Sequence, residues 1–394
     1  MNILFITWDS DQTNYLENLF FPIFRGIQKE TGWQFHVMQF SWAAPGEVQR
    51  IQALAEQMSV RYLHVPVYRR PSAALGALRT LTKGAKAIRE YLQRQQINSL
   101  MPRSTMPAMM VNRLRRWLAD KNIEVIFDAD GLPIQERVDF AGLKPGSLQY
   151  RWLKRAETTM LIQADKVLTR TEKAIQSHLQ SNPVLSPSKF YKVSNGRDSV
   201  FFKPDSAKRA RIRRELGMKD QSLLWIYSGS LGPPYQLEEM LRLFWDHYQF
   251  DADSRMLFLV RNQHTLSAQI PDYLRRLVWI KTVPFTCIPD YYAAGDLGLS
   301  LRKPAPSLAG LAPIKVGEYL LSGLPVIASE GIGDLATDLA EKSACFIYRA
   351  NDAALHSWLK TLHKQSKSAI RNVGTQYFGL DQSVTTYVKA LEAI

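Results

Sequence analysis

Lys315 and Glu318 stand three residues apart in the stretch A-P-I-K-V-G-E-Y-L-L-S-G-L-P-V-I-A-S-E, from Ala312 to Glu330. The stretch predicts a short helix opened by Pro313 and closed by Gly323, then a buried strand over Leu324 to Ala328. Unpaired N–H groups make the potential positive at a helix start, so a lysine there makes chemical sense when it and the helix share an anion. Glu318, one turn on, lies on the same face, where a carboxylate can accept hydrogen bonds from two ribose hydroxyls. The pair reads as half of a nucleotide diphosphate site. An ordinary exposed Lys/Glu pair is the plainer reading of the same two residues.

Other chemistry-bearing residues fall at the ends of predicted strands. Gly229, Ser230 and Gly232 form the loop G-S-L-G-P-P-Y between a strand over Leu223 to Ser228 and a helix opening at Leu237, where backbone N–H groups can approach a phosphate. Arg261 ends the next strand, and Arg302 and Lys303 open the loop that leads into the Ala312 stretch. In the first half, Asp9, Ser10 and Asp11 follow a strand over Asn2 to Trp8. Arg103 and Ser104 follow a strand over Ile97 to Met101, and Asp128, Asp130 and Gly131 end one that starts at Glu124. In a parallel sheet such ends lie side by side and line a ligand crevice, although each residue also serves as an ordinary strand-end loop. The seven histidines have no metal-ligand spacing, and G-x-S-x-G, Walker and G-x-G-x-x-G motifs are absent, so hydrolase triads and P-loop chemistry have no support.

The elements that position these residues alternate strand and helix. After the first strand, Leu16, Leu19, Phe20, Ile23, Phe24 and Ile27 mark one face of a helix from about Tyr15 to Thr31, and Phe35 to Phe40 is the next strand. That alternation predicts α/β architecture with doubly wound, Rossmann-like sheets. A chain of 394 residues suits two domains of roughly 150–200. We expect one domain over 1–198, a second over 199–375, and a terminal helix over 376–394 that buries one face.

Composition is globular, with a net charge of +14 that points to anionic partners. From Arg69 to Arg116 eleven basic residues face one acid, Glu90, and Leu75, Leu78, Leu81, Ala85, Ile88 and Leu92 have helical spacing. This stretch reads either as a basic amphipathic face for an anionic membrane surface or as a packed helix with a solvated back. Nucleic acid is not expected as a partner, because aromatics are sparse there and no reader motif is present. Two cysteines, an N-terminus without a basic leader and the lack of a long apolar run predict a cytoplasmic protein, soluble or peripheral at the inner face of the membrane.

The segment P-x-K-x-x-E-Y-x-x-S-G-x-P-V-I-A resembles the donor-site segment of the GT-B retaining glycosyltransferases. Tyr191 to Pro204, Y-K-V-S-N-G-R-D-S-V-F-F-K-P, is similar to that family's V-x-N-G-V-D-x-x-x-F-x-P, where the chain leaves the first domain. Arg103-Ser104 and Asp128 to Gly131 loosely resemble R-S-x-x-P-A and D-x-R-G segments of bacterial polysaccharide transferases, with Asp130 where those carry arginine.

The resemblance implies GT-B architecture, two Rossmann-like domains facing a central cleft, with 1–198 as the acceptor-side domain, joined by the returning helix 376–394, and 199–375 as the donor domain. It also implies transfer of a sugar, with retention, from a nucleotide sugar to a saccharide or lipid-linked acceptor in cell-surface polysaccharide or glycolipid synthesis. No metal and no cofactor beyond the nucleotide-sugar co-substrate are expected. By resemblance Lys315 takes the diphosphate, Glu318 the ribose, and backbone amides of Gly310, Leu311 and Ala312 the phosphate or sugar. Position adds Arg261 and Asp128 as candidate catalytic residues, Arg302 as a donor contact, and Asp9, Arg103 and Asp130 on the acceptor side. There are departures. Gly310 stands where the family often carries an acid, and Pro233 to Gln236 lack its Arg and Lys. They leave two alternatives, a non-catalytic GT-B-like partner of another transferase and a sugar-nucleotide epimerase.

Overall fold

The computed structural model describes residues 1–11, 15–339, 342–350 and 352–393. The chain forms two compact units. One comprises Met1–Asn195, Ala309–Leu311 and Ser383–Ile394, and the other Gly196–Leu308 and Ala312–Gln382.

In the first unit, continuous apolar runs become strands covered on both faces, as a parallel sheet requires. They are β1 (Asn2–Trp8), β2 (Gln34–Ser41), β3 (Arg61–Pro66), β4 (Ser99–Pro102), β5 (Glu124–Asp130), β6 (Lys166–Thr169) and β7 (Phe190–Lys192). Their order is β3-β2-β1-β4-β5-β6-β7, all parallel. Ile3, Leu4, Phe5 and Ile6 of β1 are fully buried. The helix Phe21–Thr31, preceded by a π-helical turn over Leu16–Phe20, lays Phe24 flat against Phe35 with 4.2 Å between ring centres.

The helix Ala73–Gln95 is capped by the Ser72 side chain and buries Leu81, Ala85, Ile88 and Leu92. Its first turns depart from the packed-helix reading, in which the whole stripe is covered: Leu75 and Leu78 are exposed. Among the described residues no helix is long and apolar enough to cross a membrane.

The second unit repeats the plan with β8 (Leu224–Ser228), β9 (Arg255–Leu259), β10 (Val278–Lys281), β11 (Leu297–Ser300), β12 (Val326–Ser329) and β13 (Cys345–Tyr348). The order is β10-β9-β8-β11-β12-β13, again all parallel. Each sheet therefore winds outward from its first strand in one direction and then in the other. The reversal falls between β1 and β4 in one unit and between β8 and β11 in the other. Loops diverge at such a reversal and leave a crevice at the strands' carboxyl ends, where open α/β sheets bind ligands. The doubly wound organisation expected from the alternation is present in both units.

The helix Ile314–Leu321 connects β11 to β12 and so starts at the carboxyl edge of the second sheet. Pro313 occupies the position before the first helical residue, one earlier than expected, and Gly323 ends the element in the left-handed region at φ +75°. The helix packs against Lys367–Phe378, whose Gly374 approaches the Leu320 and Leu321 backbone too closely for a side chain.

Candidate functional site

In the second unit the residues with chemical potential gather at the β8/β11 reversal. The Gly229 N–H donates to Leu259 O at 3.1 Å, and its φ of +146° is one that side-chain-bearing residues rarely adopt. The Ser228 N–H donates to the Tyr319 hydroxyl at 2.8 Å, and the Tyr227 hydroxyl to Ser230 O at 2.5 Å, so the glycine loop is fixed at its root. On the other side of the reversal the Arg302 N–H donates to Ser329 Oγ at 2.8 Å. The Arg302 guanidinium lies 4.0 Å from the centre of the Tyr235 ring, and Lys303 N–H donates to Pro234 O at 2.8 Å. A partly exposed guanidinium stacked on the last residue of a glycine turn makes a cationic wall beside backbone N–H groups, an arrangement suited to a phosphate. Arg261 lies exposed beyond β9, one strand further along the same edge.

Glu318 is 1 % exposed, which excludes the plain reading of an exposed Lys/Glu pair. Its Oε1 accepts from Arg197 Nη2 at 2.7 Å, and its Oε2 from Lys315 Nζ at 2.8 Å and from the Tyr292 hydroxyl at 3.1 Å. Burial works against the carboxylate charge, but Lys315 and Arg197 outweigh it and hold the Glu318 pKa below the usual carboxyl range. Burial next to Glu318 raises the Tyr292 phenol well above its ordinary value, so it remains a donor. Only Lys315 in this cluster reaches outward, with its side chain 34 % exposed. Gly310 and Leu311 belong to the first unit. A side chain on Gly131 would meet Gly310 O at 2.2 Å, so the two glycines allow close backbone approach there; Ala312 belongs to the second unit.

The first unit concentrates charge at its own reversal. Asp9 follows β1 and accepts from Thr7 Oγ1 at 3.1 Å and Gln39 Nε2 at 2.8 Å, and the Tyr62 hydroxyl donates to Gln39 Oε1 at 2.6 Å. Burial raises the Asp9 pKa, against the opposing effects of Gln39 and Arg103. Arg103, beyond β4, donates to Asp130 at 2.5 Å and stands 3.9 Å from Asp128. Asp128 is fully buried and accepts from Arg170 Nη2 at 2.8 Å, while Arg170 Nε donates to Asn195 Oδ1 at 3.0 Å. Burial opposes the charge of Arg103, but Asp130 and Asp128 raise its pKa overall.

All four of Asp9, Arg103, Asp128 and Asp130 thus come together, as do Gly229, Ser230 and Arg302 in the other unit. Arg170, Arg197, Tyr235, Tyr292 and Tyr319 were not anticipated. Arg197 had a signal: it occupies the position of an aliphatic residue in the V-x-N-G-V-D pattern. Among the described residues no group of His, Cys, Asp and Glu is placed to hold a metal ion.

No family model matches the sequence, and no curated protein does either. Solved structures do match over the whole chain. HepE from Anabaena, crystallised with UDP, is 15% identical with a TM-score of 0.72, covering 100% of both chains. A glycosyltransferase from Rickettsia africae is 14% identical with a TM-score of 0.70, covering 100% of this chain and 99% of its own. The chain has the GT-B fold. UDP-GlcNAc 2-epimerase from Neisseria meningitidis, bound to UDP-GlcNAc, is similar at a TM-score of 0.63 and 10% identity, covering 99% of both chains. HepE has also been crystallised with UDP-glucose. Within the second unit the β8/β11 edge sets the Arg302 guanidinium beside the glycine loop.

Proposed function

We propose that this protein is a glycosyltransferase that moves a hexosyl group from a UDP-sugar to a saccharide or lipid-linked acceptor, with retention and without an obligatory metal. The observation that carries the reading is the convergence of the Gly229–Gly232 loop, Arg302 and the start of the Ile314–Leu321 helix at one sheet reversal. Breaking a glycosidic bond to a diphosphate leaves negative charge on the leaving group, and fixed N–H groups and cations stabilise that charge as it develops. Arg302 and Lys315 supply the charge, with Arg261 one strand away, and Ser230 to Gly232 of the glycine loop supply N–H donors.

Glu318 takes the ribose once the partly exposed Lys315 side chain swings off Oε2 toward the diphosphate. Asp9, Arg103, Asp128 and Asp130 form the acceptor side. Asp128 holds Arg170 and Arg103 in place, so its part in the reaction runs through them.

The basic helix supports a peripheral position on an anionic membrane in cell-surface polysaccharide synthesis. Exposed Leu75 and Leu78 lie among Arg70, Arg79, Lys83 and Lys86, which suits partial insertion with the cations at headgroup level.

The test is a panel of nucleotide sugars and nucleoside diphosphates scored by protection against thermal unfolding, followed by transfer assays with the best donor. A ligand at a hundred times its dissociation constant adds about 2.7 kcal/mol. Protection by uridine compounds, and a product with the donor's anomeric configuration, are expected. No protection by any nucleotide would overturn the reading. The three internal hydrogen bonds on Glu318 favour a second reading, a nucleotide-binding but non-catalytic partner, which predicts protection without turnover. Isomerised donor recovered from the assay would mark an epimerase instead.

A further inference from the structure

Glu318 has two cationic partners that differ in mobility. Lys315 has an exposed end. Arg197 is 4 % exposed and is fixed through its backbone and its ring contacts. Its backbone N–H donates to Phe378 O at 2.8 Å and its carbonyl accepts from Leu380 N at 3.0 Å, while its guanidinium packs over the rings of Phe202 and Phe285 at 5.2 and 5.6 Å. Resting on the donor-site reading above, we infer that Arg197 is a positioning residue: it stays with Glu318 when Lys315 leaves for the diphosphate, and keeps the carboxylate ionised and in place for the ribose.

A buried carboxylate left with only a phenol would take up a proton and lose acceptor capacity toward two hydroxyls. The other groups near Glu318 do not substitute for Arg197. Tyr292 is a neutral donor on Oε2, and the Tyr319 hydroxyl faces the Ser228 N–H. From the packed helix Lys367–Phe378, Arg371 donates to Leu321 O at the far end of the Ile314–Leu321 helix. The charge of Lys315 is thereby released for the donor without unbalancing the interior, since Arg197 and Glu318 remain a neutral pair.

The test is calorimetric titration of UDP-glucose, whose diphosphate diester does not titrate near neutrality, into the full chain from pH 5.5 to 8. Wild-type affinity should be flat within about twofold. Arg197→Leu should bind more weakly throughout and lose a further tenfold or more toward pH 5.5, as Glu318 protonates, and Arg197→Lys should restore a flat profile. An Arg197→Leu variant that binds like wild type with a flat profile overturns the inference and leaves the donor site standing. A wild type that binds neither UDP-glucose nor UDP overturns both.

Lys315→Met, which imitates the departure of the lysine, provides a readout independent of ligand and of the folding of Arg197→Leu. If Arg197 alone keeps Glu318 ionised, the melting-temperature difference between Lys315→Met and wild type stays constant from pH 5.5 to 8. A difference that grows as pH rises, as it would if the native state preferred a protonated Glu318, refutes the inference.

Discussion

Lys315→Met separates donor binding from folding, because Lys315 is the one partly exposed member of a cluster that is otherwise buried. In the fold it contributes a single part-exposed ion pair at 2.8 Å, and Glu318 keeps Arg197 and Tyr292 without it. Part-exposed pairs are worth about 0.2–1 kcal/mol, and the methionine retains most of the apolar stem. At about 2–4 °C per kcal/mol for a unit of this size, the melting temperature should fall by no more than about 4 °C. A charge-assisted hydrogen bond to a diphosphate is worth about 1.5–3 kcal/mol, so UDP affinity should fall about 10- to 150-fold. Titration calorimetry with UDP and a thermal melt on the same preparation measure both quantities. A UDP affinity within threefold of wild type, or a melting temperature lowered by more than 10 °C, would refute the assignment of Lys315 to the donor.

Glu318→Ala should not separate the two effects, because it leaves the buried Arg197 guanidinium without its carboxylate. Urea denaturation should show a loss of about 3–5 kcal/mol together with lost UDP binding. Asp9→Asn should stabilise the protein at neutral pH while impairing transfer. The native pKa of Asp9 is raised, so ionising it above its unfolded value costs native stability, and the asparagine removes that cost. Melts at pH 7 and pH 4 should show the gain at pH 7 and a smaller one, or none, at pH 4. Gly229→Ala forces a side chain into a conformation that costs about 1–3 kcal/mol, and the displaced loop should weaken UDP by about tenfold or more in the same calorimetric assay.

Much of the fold was legible because parallel strands buried on both faces read as uninterrupted apolar runs. Ile3 to Ile6 announce β1, and Leu224 to Tyr227 announce β8 as plainly. The edge strands do not have this property. Arg61–Pro66 in β3 interleaves exposed and half-buried positions, and β13 has two half-buried residues at its centre, so neither reads as a covered apolar run. The same division holds at the candidate site. Lys315 and Glu318 are one helical turn apart, and their 2.8 Å contact follows from local geometry alone. The partner that decides the environment of Glu318 lies 121 positions away in Arg197, and Tyr292 lies 26 away. Nothing in the local sequence around Glu318 separates a surface carboxylate from a buried one until the tertiary fold delivers those two donors.

Backbone strain distinguishes the two ends of the first sheet. Among the described residues, five other than glycine have positive φ: Ser59, Gln96, Ser104, Asn122 and Asp130. Ser59, Gln96 and Asn122 follow the ends of helices, where a left-handed residue is the ordinary way to stop. Ser104 and Asp130 have no such excuse: they stand at the carboxyl ends of β4 and β5, beside the β1/β4 reversal. The structure holds them there through Arg103, which donates to Asp130, and through Ser104 N–H, which donates to Asp128 O at 2.9 Å. At the opposite, amino ends of β5 to β7 lies an open cavity of about 1000 Å³, bordered by Lys166 and Lys189, with Glu124 paired to Lys166 at 2.9 Å. The convergence of strained backbone, buried charge and sheet reversal selects the carboxyl end instead, because strain of this kind persists only where surrounding contacts over-determine it, and here those contacts come from Arg103 and Asp128, which we propose for the acceptor side.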